Sequence, residues 1–299
     1  MNILIVGAKG QLGTEIAKCF ERGYTELGTP DVLKEKNEVR GIDIDELDIS
    51  RLDDLRRVMG EGRYGAVINC AAYTNVNKCE SDRETAFLAN SIGPRNLAIA
   101  CEECGAKLVH ISTDYVFAGD GSVPYVEWDI CNPQSVYGKT KYLGEEYVKQ
   151  FSTRYFIVRT SWLYGYYGNN FVKTMMKINR ENGKSKVVCD QRGNPTNAAD
   201  LAHHVLKLLT TEQYGIYHGT GAGECSWYEL TKKIVEYAKI EAEVAPCTTD
   251  EFPTPAKRPA YSSLDNMMFR ATVGDEFRQW EDALKCFMEN YLEMEKESR

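Results

Sequence analysis

The amino terminus constrains this chain more than any other stretch. Asn2–Val6 is a short apolar run, and Gly7-Ala8-Lys9-Gly10-Gln11-Leu12-Gly13 follows it directly. A run of this kind suits a central parallel strand buried on both faces. Behind the glycines, Thr14–Arg22 is amphipathic. Strand, glycine turn and helix therefore come in the order that a dinucleotide-phosphate site requires. Gly7 permits the tight turn, Gly10 lets the backbone approach a pyrophosphate, and Gly13 allows close helix–strand packing. The N–H groups at the start of the helix are left for the anion. The spacing is G-x-x-G-x-x-G, which departs from the simplest G-x-G-x-x-G rule.

The next hundred residues repeat the alternation. Val39–Ile44 reads as a second strand with Asp43 near its carboxyl end. An acid there accepts hydrogen bonds from ribose hydroxyls and repels a 2′-phosphate. Asp45 and Asp48 compete for the same role, and Lys9 or Arg40 could offset the acid. Ser50–Met59 reads as a helix with Ser50 as its N-cap. Gly65–Cys70 is a third apolar run, and Ala71, Ala72 and Tyr73 follow where small residues admit a flat cofactor. A long helical stretch, Ser81–Cys104, precedes a fourth strand, Lys107–Thr113. Strands alternating with helices predict an α/β fold with a doubly wound parallel sheet of the Rossmann kind. Thr113 then falls at the carboxyl end of a strand, where such sheets bind ligands.

Tyr137 and Lys141 follow, four residues apart, so a helix places them one turn apart on one face. A phenol is a weak acid, with an ordinary pKa of about 10. A neighbouring ammonium favours its phenolate, and the Thr113 hydroxyl could bond the same reacting oxygen. The pattern points to a proton donor for a carbonyl or alkoxide.

The second half reads as a smaller unit. Phe156–Leu163 is strand-like and carries Trp162 near its end. Asn169 and Asn170 open a helix over Val172–Arg180, and Ser185–Cys189 is a short strand. Asn197–Thr210 has helical spacing, Gly215–Gly219 is strand-like, and Ser226 is the expected N-cap of a helix running to Ile240. Glu241–Pro259 reads as a long loop ending at Arg258, and Trp280–Glu295 as a last helix with a charged, fraying tail. The expected division is a dinucleotide-binding domain mainly over 1–160 and a C-terminal substrate-binding region mainly over 161–299, with segments interleaved.

Composition excludes several classes. A net charge of −8 and a pI near 5.3 argue against a general nucleic-acid binder. No apolar run approaches the ~18 residues of a membrane span, and residues 1–6 lack a signal peptide's basic start, so the expectation is a soluble, cytoplasmic protein. Ten cysteines in 299 residues do not make a disulfide scaffold. Cys101 and Cys104 lie in a helical run and read as buried or half-buried thiols. The adjacent His203 and His204 point to different faces of a helix, and no spacing marks a metal site.

GAKGQLG, NCAAYT, STDYVF and YGKTK, in this order and spacing, resemble the extended short-chain dehydrogenase/reductase superfamily. Within it the likeness is to the dTDP-4-dehydrorhamnose reductase family, and RTSWLYG, NNF, DQRGNPT and RPAYSSL extend it over almost the whole chain. The resemblance implies reduction of the C4 keto group of dTDP-4-dehydro-L-rhamnose to dTDP-L-rhamnose with NADPH or NADH. It carries catalytic roles onto Thr113, Tyr137 and Lys141. It implies cofactor contacts at Gly7, Gly10, Gln11, Leu12, Gly13, Asp43, Asp48, Ile49, Ala71, Ala72 and Tyr73, with Tyr137 and Lys141 shared. Substrate contacts fall on Asp114, Trp162, Asn170 and Arg258. Some relatives form homodimers and bind Mg2+, although no ligand spacing here indicates a metal.

Two other readings follow from the same residues. One is a sugar-nucleotide epimerase or dehydratase; dehydratases typically carry an acid two positions after the threonine, where this chain has Tyr115. The other is a non-catalytic subunit resembling the regulatory subunit of methionine adenosyltransferase.

Overall fold

The computed structural model describes residues 1–297. Its first half runs β1 (Asn2–Val6), α1 (Gln11–Arg22), β2 (Glu38–Ile42), α2 (Leu52–Gly62), β3 (Ala66–Asn69), α3 (Gly93–Cys104), β4 (Lys107–Thr113), α4 (Val136–Phe151) and β5 (Tyr155–Thr160). Its second half adds α5 (Phe171–Asn182), β6 (Lys184–Val188), α6 (Ala198–Leu208), β7 (Gly215–His218), α7 (Trp227–Tyr237), β8 (Glu243–Cys247) and α8 (Trp280–Glu297).

Six strands form one sheet in the order β7-β5-β4-β3-β1-β2, and every pair is parallel. The two-residue period of β1 explains its place. Ile3 and Ile5 enter one core, and Leu4 and Val6 enter the other. The first core joins Leu12 and Ile16 of α1 to Leu201 and Val205 of α6. The second joins Leu55 and Met59 of α2 to Leu97 of α3 and Val148 of α4. With helices on both faces, the carboxyl ends of the strands form the open edge where a ligand can lie.

β7 comes from the second half of the chain, yet it pairs with β5 from Gly215↔Phe156 to His218↔Arg159. A separate core holds the remainder together, with Val172 and Met176 of α5, Ile234 of α7, and Trp280, Leu284 and Phe287 of α8.

Several expectations need correction. The helix expected from Ser50 starts at Leu52 after Arg51: the Ser50 carbonyl is taken by the Asn96 amide at 2.8 Å, and the first helical bond runs from the Leu55 N–H to Arg51 O at 3.2 Å. The strand expected to reach Leu163 stops at Thr160. Trp162 takes a left-handed conformation (φ +46°), and Leu163–Tyr164 then pair with Thr196–Asn197. The expected loop 241–259 contains β8, which lies parallel to β6. Pro246 misleads there, since a missing N–H is tolerated in an edge strand. The helix expected over Ser81–Cys104 is broken at Asp82, where Val76–Ser81 ends and Arg83–Phe87 begins, and is interrupted again by a π turn at Leu88–Ile92. Cys104 is exposed rather than half-buried, and all ten cysteines are free. His203 and His204 are both buried. The last helix continues to Glu297, and the rest of the expected frayed tail, residues 298–299, lies outside the described residues. No helix among the described residues is long and apolar enough to cross a membrane.

Candidate active site

The glycine turn after β1 is built for close approach. Gly7 has φ +76°, and a Cβ on it would lie 2.6 Å from the Ala71 nitrogen. A Cβ on Gly13 would lie 2.2 Å from the Gly7 carbonyl oxygen, so α1 can sit this near the turn only with glycine there. No side chain caps α1 at Gly10, which leaves the helix N-terminus able to meet an anion. Beside it opens a cavity of about 570 Å³. Gly7, Gly10, Asp43, Asp48, Ile49, Ala71, Ala72 and Tyr73 all line it. Leu12 and Gly13 are buried beneath the turn, and Gln11 points away, its amide reaching Leu163 O at 3.2 Å.

The structure separates the three neighbouring acids. Asp43 Oδ2 accepts from the Lys9 N–H (3.0 Å) and Oδ1 from the Ile44 N–H (2.8 Å), which fixes the carboxylate on the cavity wall. Asp45 instead pairs with the Lys9 ammonium at the surface. Asp48 holds the turn before α2.

A second cluster forms where β4 meets α4. The Ser135 hydroxyl accepts from the Gly138 N–H and starts α4, placing Tyr137 in the first turn and Lys141 in the next. Tyr137 faces Thr113 and lies edge-on to Tyr115, with ring centroids 5.5 Å apart. Burial pushes the Tyr137 phenol well above its ordinary value, and the Thr113 hydroxyl pulls the other way. Lys141 is buried; desolvation lowers its amine to about 8, and its Nζ donates to Ile111 O at 2.6 Å. In this arrangement Thr113, rather than Lys141, is the neighbour that most favours the phenolate.

Asp114 is buried, and desolvation raises its carboxyl to about 6 despite the nearby Ser262 and Thr113 hydroxyls. Its Oδ1 accepts from Thr113 at 2.9 Å. Neither Asp114 Oδ2 nor the Ser262 hydroxyl has a well-formed hydrogen bond, although they are close enough to influence each other. Arg258 donates to the Tyr115 hydroxyl at 2.8 Å and to Asn77 Oδ1 at 3.3 Å. Thr113, Asp114, Tyr115, Tyr137 and Arg258 thus form one connected cluster.

Trp162 and Asn170 sit apart from it. Trp162 stacks on Trp227, with centroids 3.5 Å apart and ring planes within 7°. Gly193 lies between Trp162 and the cluster, where an added Cβ would meet both the indole and Ser262. Asn170 caps α5, accepting from the Lys173 N–H, while its amide donates to Gln11 Oε1 at 2.9 Å. Its side chain is therefore committed beside the glycine turn.

Asn90 was not singled out from the sequence. It lies in the π turn, accepts from the Tyr73 N–H at 2.8 Å, and donates to Tyr73 O and to the Thr140 hydroxyl on α4. It ties the cavity wall to the helix that carries Tyr137. A polar Asn-Ser pair on the buried side of a long helical run was the available signal. Among the described residues, no group of three or more His, Cys, Asp or Glu is placed to hold a metal ion.

Comparison with known proteins places this geometry. Residues 1–293 match the family model described as the RmlD substrate binding domain. The chain is 38% identical over 289 residues to the spore coat polysaccharide biosynthesis protein SpsK of Bacillus subtilis, covering 96% of this chain and 97% of that protein. The crystal structure of a dTDP-4-dehydrorhamnose reductase from Clostridium acetobutylicum superposes with a TM-score of 0.92 at 46% identity, over 98% of this chain and 100% of that one. The dTDP-4-dehydrorhamnose reductase of Bacillus anthracis, solved in complex with NADP, gives 0.90 at 42% identity, over 97% and 99%.

Proposed function

The chain belongs to the RmlD substrate binding domain family, and from that premise we propose that it reduces the C4 keto group of dTDP-4-dehydro-L-rhamnose to give dTDP-L-rhamnose. It is an NAD(P)H-dependent oxidoreductase of the dTDP-4-dehydrorhamnose reductase type. The observation that carries the choice of reaction is the Tyr137 phenol set against Thr113, with Lys141 one turn behind it.

The cavity fits a dinucleotide, since an uncapped helix start and a glycine turn without room for a Cβ lie at one end, and Ala71 and Ala72 line the wall. Gly7, Gly10 and the start of α1 would hold the pyrophosphate, and Asp43 a ribose. A reduced nicotinamide bound there supplies the hydride. Tyr137 gives its proton to the oxygen that becomes the new hydroxyl. Its high phenol pKa keeps that proton in place until negative charge develops on the substrate. Thr113 turns its hydroxyl from Asp114 to the same oxygen, and Lys141 steadies the phenolate left behind. Arg258 and Asp114 face the sugar-nucleotide, and Trp162 supplies an apolar wall. Asp43 favours NADH, whereas the relative from B. anthracis holds NADP, so both forms are proposed as substrates.

The residue two positions after Thr113 is Tyr115, and its hydroxyl is engaged by Arg258. A phenol in this place is a poor substitute for the acid a dehydratase needs, which favours the reductase over that rival. The deciding experiment follows oxidation of NADPH and, separately, NADH with enzymatically generated dTDP-4-dehydro-L-rhamnose, and identifies the product by mass and NMR. Turnover to dTDP-L-rhamnose is expected. Binding of the nucleotide without turnover of this or any related 4-keto sugar would overturn the reading.

A further inference from the structure

One buried charge lies in the same stripe as the catalytic pair and has no role in the chemistry above. Glu145 follows Tyr137 and Lys141 on α4 at intervals of four, so the three share one helix face. It is fully buried, and both of its oxygens are taken. Ser112 Oγ donates to Oε1 at 2.5 Å, and Arg159 contacts both oxygens, with Nη2 at 2.8 Å from Oε2. Ser112 and Arg159 are direct partners across β4 and β5. Arg159 is itself held by Glu127 O and sits beside His218.

Resting on the reductase reading, we propose that Glu145 is a positioning residue, clamped by Ser112 and Arg159 so that Tyr137 and Lys141 meet Thr113 in register. Three successive residues of β4 are gripped by one face of α4. Ile111 O takes the Lys141 ammonium, Ser112 takes Glu145, and Thr113 faces Tyr137. Replacing a buried ion pair by apolar residues is often neutral or stabilising, so stability alone explains this one poorly. Fixing a helix to a strand at the reacting atoms explains it better. The charge also matters. Cys70 at the end of β3, His110 on β4 and Glu145 on α4 all act on Lys141. Burial pushes the Cys70 thiol up to about 12 and His110 well below its usual range, so both are neutral. Of these three, Glu145, in its pair with Arg159, is the one that supplies negative charge to hold the ammonium.

The test compares wild type with Ser112→Ala and with Glu145→Gln/Arg159→Gln, which removes both charges together. Steady-state turnover of the keto sugar is measured against pH, and Lys141 is titrated by NMR in protein carrying ¹³C-labelled lysine. Both variants are expected to lose about 10- to 100-fold in kcat with KM and NADPH affinity nearly unchanged. In the double variant Lys141 is expected to titrate about one pH unit lower, carrying the alkaline limb of kcat with it. A folded double variant with wild-type kcat and an unmoved Lys141 would overturn the proposal. If that variant does not fold, wild-type kcat in Ser112→Ala overturns it equally. Wild-type protein that binds NADPH but does not turn over the sugar refutes the reductase reading, and the Lys141 titration still decides the role of Glu145.

Discussion

The two walls of the site are made in opposite ways. The wall proposed for the cofactor is local: β1, the glycine turn and α1 are contiguous, and Ala71–Tyr73 follow β3 after Cys70. Backbone geometry does most of the work, and small residues leave the room. The wall proposed for the substrate is assembled from distant pieces. Arg258 meets Tyr115 across 143 positions of sequence, and Trp162 is held by a left-handed backbone and a stacked Trp227. The first wall therefore tolerates no added bulk, while the second depends on side-chain identities that could change without disturbing the sheet.

The sharpest probe strikes between the walls. Tyr137→Phe should lose roughly 10²–10⁴ in kcat while leaving both ligands bound, as removal of a general acid does. Near-normal turnover would take Tyr137 out of the mechanism. Gly13→Ala probes the cofactor wall. Its Cβ would meet the Gly7 carbonyl at 2.2 Å, and overpacking of this kind costs about 1–3 kcal/mol. Calorimetry should show NADPH affinity and thermal stability falling together, and a variant with both intact would mean that the turn can move.

Arg258→Ala addresses the substrate wall. Losing hydrogen bonds from a charged donor should raise the sugar-nucleotide KM by about tenfold, with NADPH affinity unchanged. An equal loss of NADPH affinity would show that the walls are coupled. The pH profile comes next. Lys141 sits near 8, so kcat should fall as pH rises through 8, by about tenfold for the next unit once the ammonium is lost. A flat profile to pH 9.5, roughly a unit below the ordinary lysine value, would remove that requirement. The smallest effect is expected from Asp43→Asn, which should shift the NADPH:NADH ratio of kcat/KM a few-fold toward NADPH.

The contrast also explains what could be read from the sequence. β1 was legible to the residue because Ile3–Val6 is apolar without interruption, and β4 likewise from Leu108, Val109 and Ile111, although Lys107, His110, Ser112 and Thr113 break its apolar run. The glycines announced the turn because no side chain fits at Gly7 or Gly13. Ser226 announced α7, and its capping box with Glu229 is formed. Asn170 was equally visible as a helix opener, but its amide bond to Gln11 was not, since nothing local records a partner 159 residues away. Asn90 was hidden because a π turn has no pattern distinct from the helix around it. β8 was hidden by Pro246 and by its short, mostly shallow burial, with Val244 and Ala245 half-buried, Glu243 and Pro246 exposed and Cys247 alone of the five buried.

The late strand of the sheet has a consequence for synthesis. β5 is finished at Thr160, but β7, which covers its outer edge, ends at His218. At about 5–20 residues per second, a ribosome leaves that edge without its neighbour for roughly 3–12 s. An uncovered strand edge is a template for pairing with other chains. A nascent protein of this design passes through an interval in which its nucleotide half is nearly complete and its exposed edge most needs shielding. A fragment cut at residue 160 would remain in that condition permanently.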